Sequence, residues 1–396
     1  MKKRLIKNNV FWVGAMDWNR RLFDSLIPLP EGTSYNAYLV RGKDKTVLLD
    51  TVDPTKSDIL MEHLGDVDRI DYVVAHHAEQ DHSGTLPRVL AKHPEARVLA
   101  TEKCKGMLVD HLQIPADHID AVTDGQKVTL GDKTLEFIHT PWVHWPETMC
   151  TYLAEDKILF SCDFFGSHYA ASSLFVKDKR TVYDDAKRYY AEIMMPFRTT
   201  IRRNLEKVGS RNIDTIAPSH GPVYDEPSFI IDAYKDWTSE NVKNEVVIPY
   251  ISMHGSTEAM VQHLTSALAD RGVKVHLFDL AVTDIGKLAM ALVDAATMVV
   301  GTPTVLVGPH PVVSYAAILA NAIRPKVRYA SVVGSYGWGG KAVEQIASLI
   351  PNLKVELLAP VLCKGYPRQN DFAALDALAD AIAQRHETLE KPPTPA

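Results

Sequence analysis

The chain has 396 residues, 46 % of them hydrophobic, with a formal net charge of −6, which leaves room for two domains with a full core each. The acid excess and the lack of a basic stripe interleaved with aromatics exclude nucleic acid as the main partner. No apolar run reaches the roughly 18 residues of a membrane span, and Phe11-Trp12-Val13-Gly14, behind the basic start Met1-Lys2-Lys3-Arg4, is too short for a signal-peptide core, so a cytoplasmic protein is expected.

In chain order, short β runs are predicted at Val10–Ala15, Asn36–Val40, Thr46–Leu49 and Asp71–Ala75. The last of these runs into Val73-Val74-Ala75-His76-His77-Ala78-Glu79-Gln80-Asp81-His82-Ser83-Gly84, four candidate ligands at the mouth of an apolar strand. Strand alternation lets His77, Glu79 and Asp81 converge, and a turn at Ser83-Gly84 adds His82. His76 is expected to face the other way and to pack or support.

Further runs follow at Arg97–Ala100, Lys127–Leu130 and Thr134–His139, with Gly131-Asp132 as a hairpin signal. His144 sits in the next loop. Asp163 follows the run Lys157–Phe160, and His220 follows Asp214–Ala217. Each marks a place where a strand gives way to a loop, where α/β architectures gather functional groups. His168 is left open between a supporting role and plain surface. The pattern fits sheets with helices on their outer faces.

Four histidines and three carboxylates suffice for two metal ions with open positions. No thiolate joins them, and the carboxylate share is high for zinc, so redox-active iron or manganese fits better. A carboxylate between the ions, assigned to Asp163, would hold them about 3.5–4 Å apart. The four cysteines, Cys104, Cys150, Cys162 and Cys363, form no Cys-x-x-Cys pair. They read as buried apolar fillers, and a rubredoxin-like or iron–sulfur module is not expected.

After the polar stretch Thr238–Glu245 the rhythm changes. Strands predicted at Val246–Ile251, Val273–Asp279, Thr297–Gly301, Val327–Val333 and Lys354–Ala359 alternate with helices, which describes a doubly wound parallel sheet. Met260, Leu264, Ala267 and Leu268 give the first crossover its helical spacing, and Gly272 its stop. A last amphipathic helix is expected near Asp371–His386, followed by the tail Lys391–Ala396 with nothing to pack.

The loop Ser252-Met253-His254-Gly255-Ser256-Thr257 joins a strand to a helix and makes an anion cradle of backbone N–H groups and hydroxyls. The absence of Gly-x-Gly-x-x-Gly points to a mononucleotide. Pro303-Thr304-Val305-Leu306 and Ser335-Tyr336-Gly337-Trp338-Gly339 follow the third and fourth strands, at the ends where such sheets bind ligands. Trp338 among glycines is a platform for a flat ring.

The metal segment resembles the metallo-β-lactamase superfamily motif His-x-His-x-Asp-His, with Glu79 in place of the second histidine. That variant, and the spacing to His144, Asp163 and His220, is similar to the flavodiiron proteins, or A-type flavoproteins. The three later loops resemble the flavin mononucleotide (FMN) site of flavodoxins. Together the resemblances cover nearly the whole chain and imply an α/β protein: a metallo-β-lactamase-like αββα sandwich over residues 1–243 and a flavodoxin-like domain over 244–396. They further imply that His77, Glu79 and His144 hold one iron and Asp81, His82 and His220 the other, with Asp163 bridging. In some members the counterpart of His82 swings away from the metal. A histidine that several members carry near Asp24 has no match here, and Leu306 stands where many have a polar residue.

The expected function is electron transfer through FMN to a non-haem di-iron site that reduces dioxygen to water or nitric oxide to nitrous oxide. Rubredoxin or a flavin reductase is the expected donor, and a head-to-tail homodimer or homotetramer the expected assembly. The alternative is a zinc-dependent hydrolase carrying a flavodoxin-like domain.

Overall fold

The computed structural model describes residues 3–389; the expected tail, Lys391–Ala396, lies outside them. Among the described residues the chain divides into two compact units. One takes the residues up to Tyr189 together with Phe197–Thr238, the other takes Tyr190–Pro196 and the residues from Ser239 on.

The first unit holds two large sheets and two two-stranded ones, Ala15–Asp17 with Thr33–Tyr35 and Leu22–Phe23 with Ile27–Pro28. Seven strands run in the order Arg4–Lys7, Val10–Trp12, Tyr38–Arg41, Thr46–Leu49, Tyr72–Val74, Arg97–Ala100 and Ile119–Ala121. Five more run Lys127–Thr129, Thr134–His139, Met149–Leu153, Ile158–Cys162 and Thr215–Pro218. Alternation along the strands decides the layering. Leu39, Leu48, Val73 and Val98 pack with the helical residues Leu60, Val89 and Leu108. Their neighbours Val40, Val47, Val74 and Leu99 pack against Phe137, Met149, Ile158 and Phe160 of the second sheet. The expected run Val10–Ala15 is two strands, because Gly14 sits so close to the backbone of Tyr35 and Asn36 that a Cβ there would lie 2.3 Å from a carbonyl oxygen.

The expected hairpin at Gly131 forms, with Thr129 opposite Thr134, and Gly131 takes φ +102°. Strands Arg4–Lys7, Ile119–Ala121 and Met149–Leu153 were not anticipated. All four cysteines are buried and free.

The second unit is a parallel sheet in the order Lys274–Asp279, Lys243–Tyr250, Ala295–Val305, Tyr329–Tyr336, with Glu356–Leu357 and Val361–Lys364 both beside the last. Numbered along the chain this is 2-1-3-4-5, the flavodoxin-like doubly wound order. The fifth strand is split. Pro360 has no N–H to donate, and the longer piece begins only at Val361, beyond the expected Lys354–Ala359. Helices Ser256–Asp270 and Gln369–His386 flank one face, where Met260, Leu264 and Leu268 meet Leu375, Leu378 and Ile382. No helix among the described residues is long and apolar enough to cross a membrane.

Candidate metal centre and flavin cavity

Four strand ends converge in the first unit. The strand Tyr72–Val74 stops before the ligands, and Gln80–Ser83 forms a helical turn with Glu79 extended ahead of it. Strand alternation is therefore not what gathers the first four candidates. His77 and Glu79 approach from the loop, while Asp81 and His82 approach from the turn. That turn is pinned from a neighbouring strand end, since Thr51 donates to the His82 carbonyl from both N–H and hydroxyl at 2.7 and 2.6 Å.

His144 comes from a loop closed on itself by Thr140 and Thr148, whose hydroxyl donates to the Thr140 carbonyl at 2.5 Å. Asp163 follows a strand whose register slips between Phe160 and Cys162. His220 is fixed by its ring Nδ1–H donating to the Ser34 carbonyl at 2.7 Å. The next residue, Gly221, has φ +81° and lies against Ser167, where a Cβ would come within 2.0 Å of the hydroxyl oxygen.

The seven expected residues meet as two adjacent groups, linked by a third cluster of His82, Asp163 and the Cys162 thiol. Ligand atoms of His77, Glu79, His144 and Asp163 all lie within 4.8 Å of one another, as do those of Asp81, His82 and His220. Asp163 joins both groups. Its Oδ2 is 3.5 Å from Nε2 of His77 and of His144, while Oδ1 is 3.0 Å from His82 and 3.4 Å from His220.

These contacts are close but poorly satisfied. Both carboxylate oxygens of Asp81 and Asp163, and both ring nitrogens of His82, are buried without an aligned hydrogen-bond partner. Buried acceptors left in that state cost about 1–3 kcal/mol each. Lone pairs of carboxylates and imidazoles that face one another repel unless a cation sits among them. Protons respond to the same demand. Burial opposes charge on His82, but the Asp163 and Asp81 carboxylates outweigh it and push its pKa up to about 10. His77 is also raised, because hydrogen bonds to Glu147 and Glu79 overcome burial. Asp163 is lowered, with the surrounding histidines overcoming burial. This donor set fits a pair of metal ions.

His76 faces away, as expected. Its Nδ1 donates to Asp50 Oδ2 at 2.7 Å and its Nε2 bonds the Thr151 hydroxyl at 2.7 Å. His168 is buried rather than superficial. It bonds Thr33 through Nδ1 at 2.9 Å, and its ring centroid lies 4.8 Å from that of His220. Glu147 was missed. Its Oε1 accepts from His77 Nδ1 at 2.7 Å and from the Ala78 N–H at 3.1 Å.

In the second unit a cavity of about 300 Å³ opens at the strand ends, within the roughly 300–1,000 Å³ of small-molecule sites. Ser252, Met253, His254, Ser256, Thr257, Pro303, Thr304, Ser335, Tyr336, Gly337 and Trp338 line it. Gly255, Val305, Leu306 and Gly339 do not. Gly255 takes φ +82° at the start of helix Ser256–Asp270 and turns the loop. Val305 and Leu306 enter a two-residue hairpin in which Val305 pairs with Gly308, and Leu306 at its tip is 94 % exposed. Gly365, on the loop after Val361–Lys364, lines the cavity and was not anticipated. Trp338 is 91 % exposed.

Comparison with known proteins covers both units. A family model described as ODP family beta lactamase matches residues 33–221. A nitric oxide reductase of Moorella thermoacetica is 37 % identical over 96 % of this chain and 98 % of its own length. An anaerobic nitric oxide reductase flavorubredoxin of Escherichia coli is 32 % identical, covering 92 % of this chain and 79 % of that protein. Among solved structures, the rubredoxin oxygen:oxidoreductase of Desulfovibrio gigas superposes with a TM-score of 0.95 at 29 % identity over 98 % of this chain and 100 % of that one. A flavodiiron protein of Giardia intestinalis superposes with a TM-score of 0.91 at 26 % identity over 98 % of each chain.

Proposed function

This chain belongs to the flavodiiron proteins, and on that footing we propose that it passes electrons from FMN bound by residues 244–396 to a di-iron centre in residues 1–243, where dioxygen is reduced to water or nitric oxide to nitrous oxide. The observation that carries the reading is the position of Asp163, with Oδ2 3.5 Å from His77 and His144 and Oδ1 3.0 and 3.4 Å from His82 and His220. His77, Glu79 and His144 would hold one iron, Asp81, His82 and His220 the other, and Asp163 would bridge them. When bound, the irons supply Lewis acidity and electrons, and FMN exchanges electron pairs for single electrons.

The chain's own residues do the rest. Glu79 and Asp81 each add one carboxylate to one side of Asp163, which offsets cationic charge in a buried site. Ser34 and Glu147 hold His220 and His77 by their Nδ1 atoms, which leaves both Nε2 lone pairs aimed inward. Ser252, Ser256 and Thr257 would receive the flavin phosphate at the start of a helix, with Trp338 against the ring system.

The family resemblance supports rubredoxin or a flavin reductase as donor, a cytoplasmic setting, and a head-to-tail homodimer or homotetramer. Metal analysis and anaerobic kinetics of the chemically reduced protein with each gas test the proposal. Two irons per chain and turnover of at least one gas are expected. Zinc in both positions together with ester or lactam hydrolysis would replace this reading by the hydrolase one.

A further inference from the structure

We propose, resting on the two-metal reading above, that the two metal positions are unequal and fill in order, the His77–Glu79–His144 position first, and that Glu147 is the positioning residue responsible.

The ligands themselves do not predict this. Each position draws on Asp163, and each adds one carboxylate and two histidines. The difference lies behind the histidines. His77 donates its Nδ1–H to the Glu147 carboxylate at 2.7 Å, and both side chains are fully buried. The matching bond on the other side runs from His220 to the Ser34 carbonyl, also at 2.7 Å, a neutral partner. His82, the remaining histidine there, has a buried Nδ1 with no partner. A carboxylate behind an imidazole makes the ring a stronger donor to metal and adds a negative charge that a carbonyl does not.

Two further observations point the same way. Glu147 is itself held in place, since Oε1 also accepts the Ala78 N–H at 3.1 Å while Oε2 is buried without a partner. Among the described residues no Lys or Arg pairs with the Glu147 carboxylate, which stays directed at His77. On the His77 side all four ligand atoms, Asp163 included, also lie within 4.8 Å of one another, whereas on the other side Asp163 is gathered that closely with His82 and the Cys162 thiol and not with the full Asp81–His82–His220 set. The first position is closer to a finished cage, so less reorganisation accompanies binding.

Cobalt(II), added anaerobically to the metal-free full-length chain, tests this. Calorimetry should show two steps, and anomalous diffraction at half an equivalent per position should place the first ion against His77, Glu79 and His144. Glu147→Gln should weaken the tight step by about 10–100-fold, the usual worth of such a partner, and leave the weaker step unchanged. Equal affinities in the parent chain, a first ion against Asp81, His82 and His220, or an unchanged tight step in the variant would each overturn the proposal. The order of filling in the parent needs no variant, so a misfolded Glu147→Gln does not protect the idea. A parent chain that binds two ions alike sinks this inference alone, whereas one that binds none sinks the two-metal reading with it.

Discussion

Asp163 turns one carboxylate oxygen to each side of the centre, with Oδ1 3.0 Å from Nε2 of His82 and Oδ2 toward His77 and His144 at 3.5 Å. No other carboxylate of the cluster pairs with histidines of both groups: Glu79 meets His77 and His144, and Asp81 meets His82 and His220. Asp163→Asn should therefore lower metal content at both positions together and not at one alone. Outer hydrogen-bond partners of metal ligands are worth about 10–100-fold, and gas reduction should fall by more than that here. Metal analysis of the purified variant decides the matter, because two tightly held ions would contradict a bridging role.

Trp338 gives an opposite expectation. At 91 % exposed it buries almost nothing in the folded chain, so Trp338→Ala should change the stability of the flavin-free protein by no more than about 0.5 kcal/mol. A ring stacked on it would contribute about 0.5–1.5 kcal/mol, roughly two- to twelve-fold in Kd. Fluorescence titration with FMN, beside a denaturation curve of the flavin-free chain, separates the two effects. Unchanged affinity would remove Trp338 from the flavin site.

What could be read in advance follows from how each residue signals itself. Buried parallel strands appear as apolar runs, so a polar group directly after one stands out; His77, Asp163 and His220 were visible for that reason. Glu147 had no such mark. It lies 70 residues from His77 in sequence, and its meaning exists only once two loops meet. The strand Met149–Leu153 is buried at every position, so it lacks alternation, and its Cys-Thr-Tyr centre does not read as an apolar run. Gly365 was missed because the fifth strand was expected to end before Pro360, which put the loop after Val361–Lys364 out of view.

The Asp50–His76–Thr151 chain makes a claim about stability. All three side chains are buried, and His76 Nε2 bonds the Thr151 hydroxyl at 2.7 Å. Thr151→Val keeps the volume and removes the hydroxyl, which strands a buried ring nitrogen. A cost of about 1–3 kcal/mol is expected, measured as a shift of the urea midpoint at constant slope. A variant as stable as the parent would mean that His76 finds another partner.

Asp185 carries the clearest pH dependence outside the metal centre. Burial pushes its carboxyl up to about 7, with Glu31 and Asp184 adding to the rise and Arg188 opposing it. One of its oxygens, Oδ2, is buried without a hydrogen-bond partner. A carboxyl whose folded pKa is raised above the unfolded value of 3.8 favours the folded chain in its protonated form. That contribution is fully present below about pH 4 and is lost as pH rises through about 7, where the folded chain must hold a buried charge. Asp185→Asn fixes the neutral state. The variant should match the parent near pH 4 and exceed it in stability at pH 8, with the gap opening between those values. Denaturation curves of both proteins at matched ionic strength across that range measure the gap, and a difference that stays constant with pH would show that Asp185 titrates in the folded chain as it does in the unfolded one.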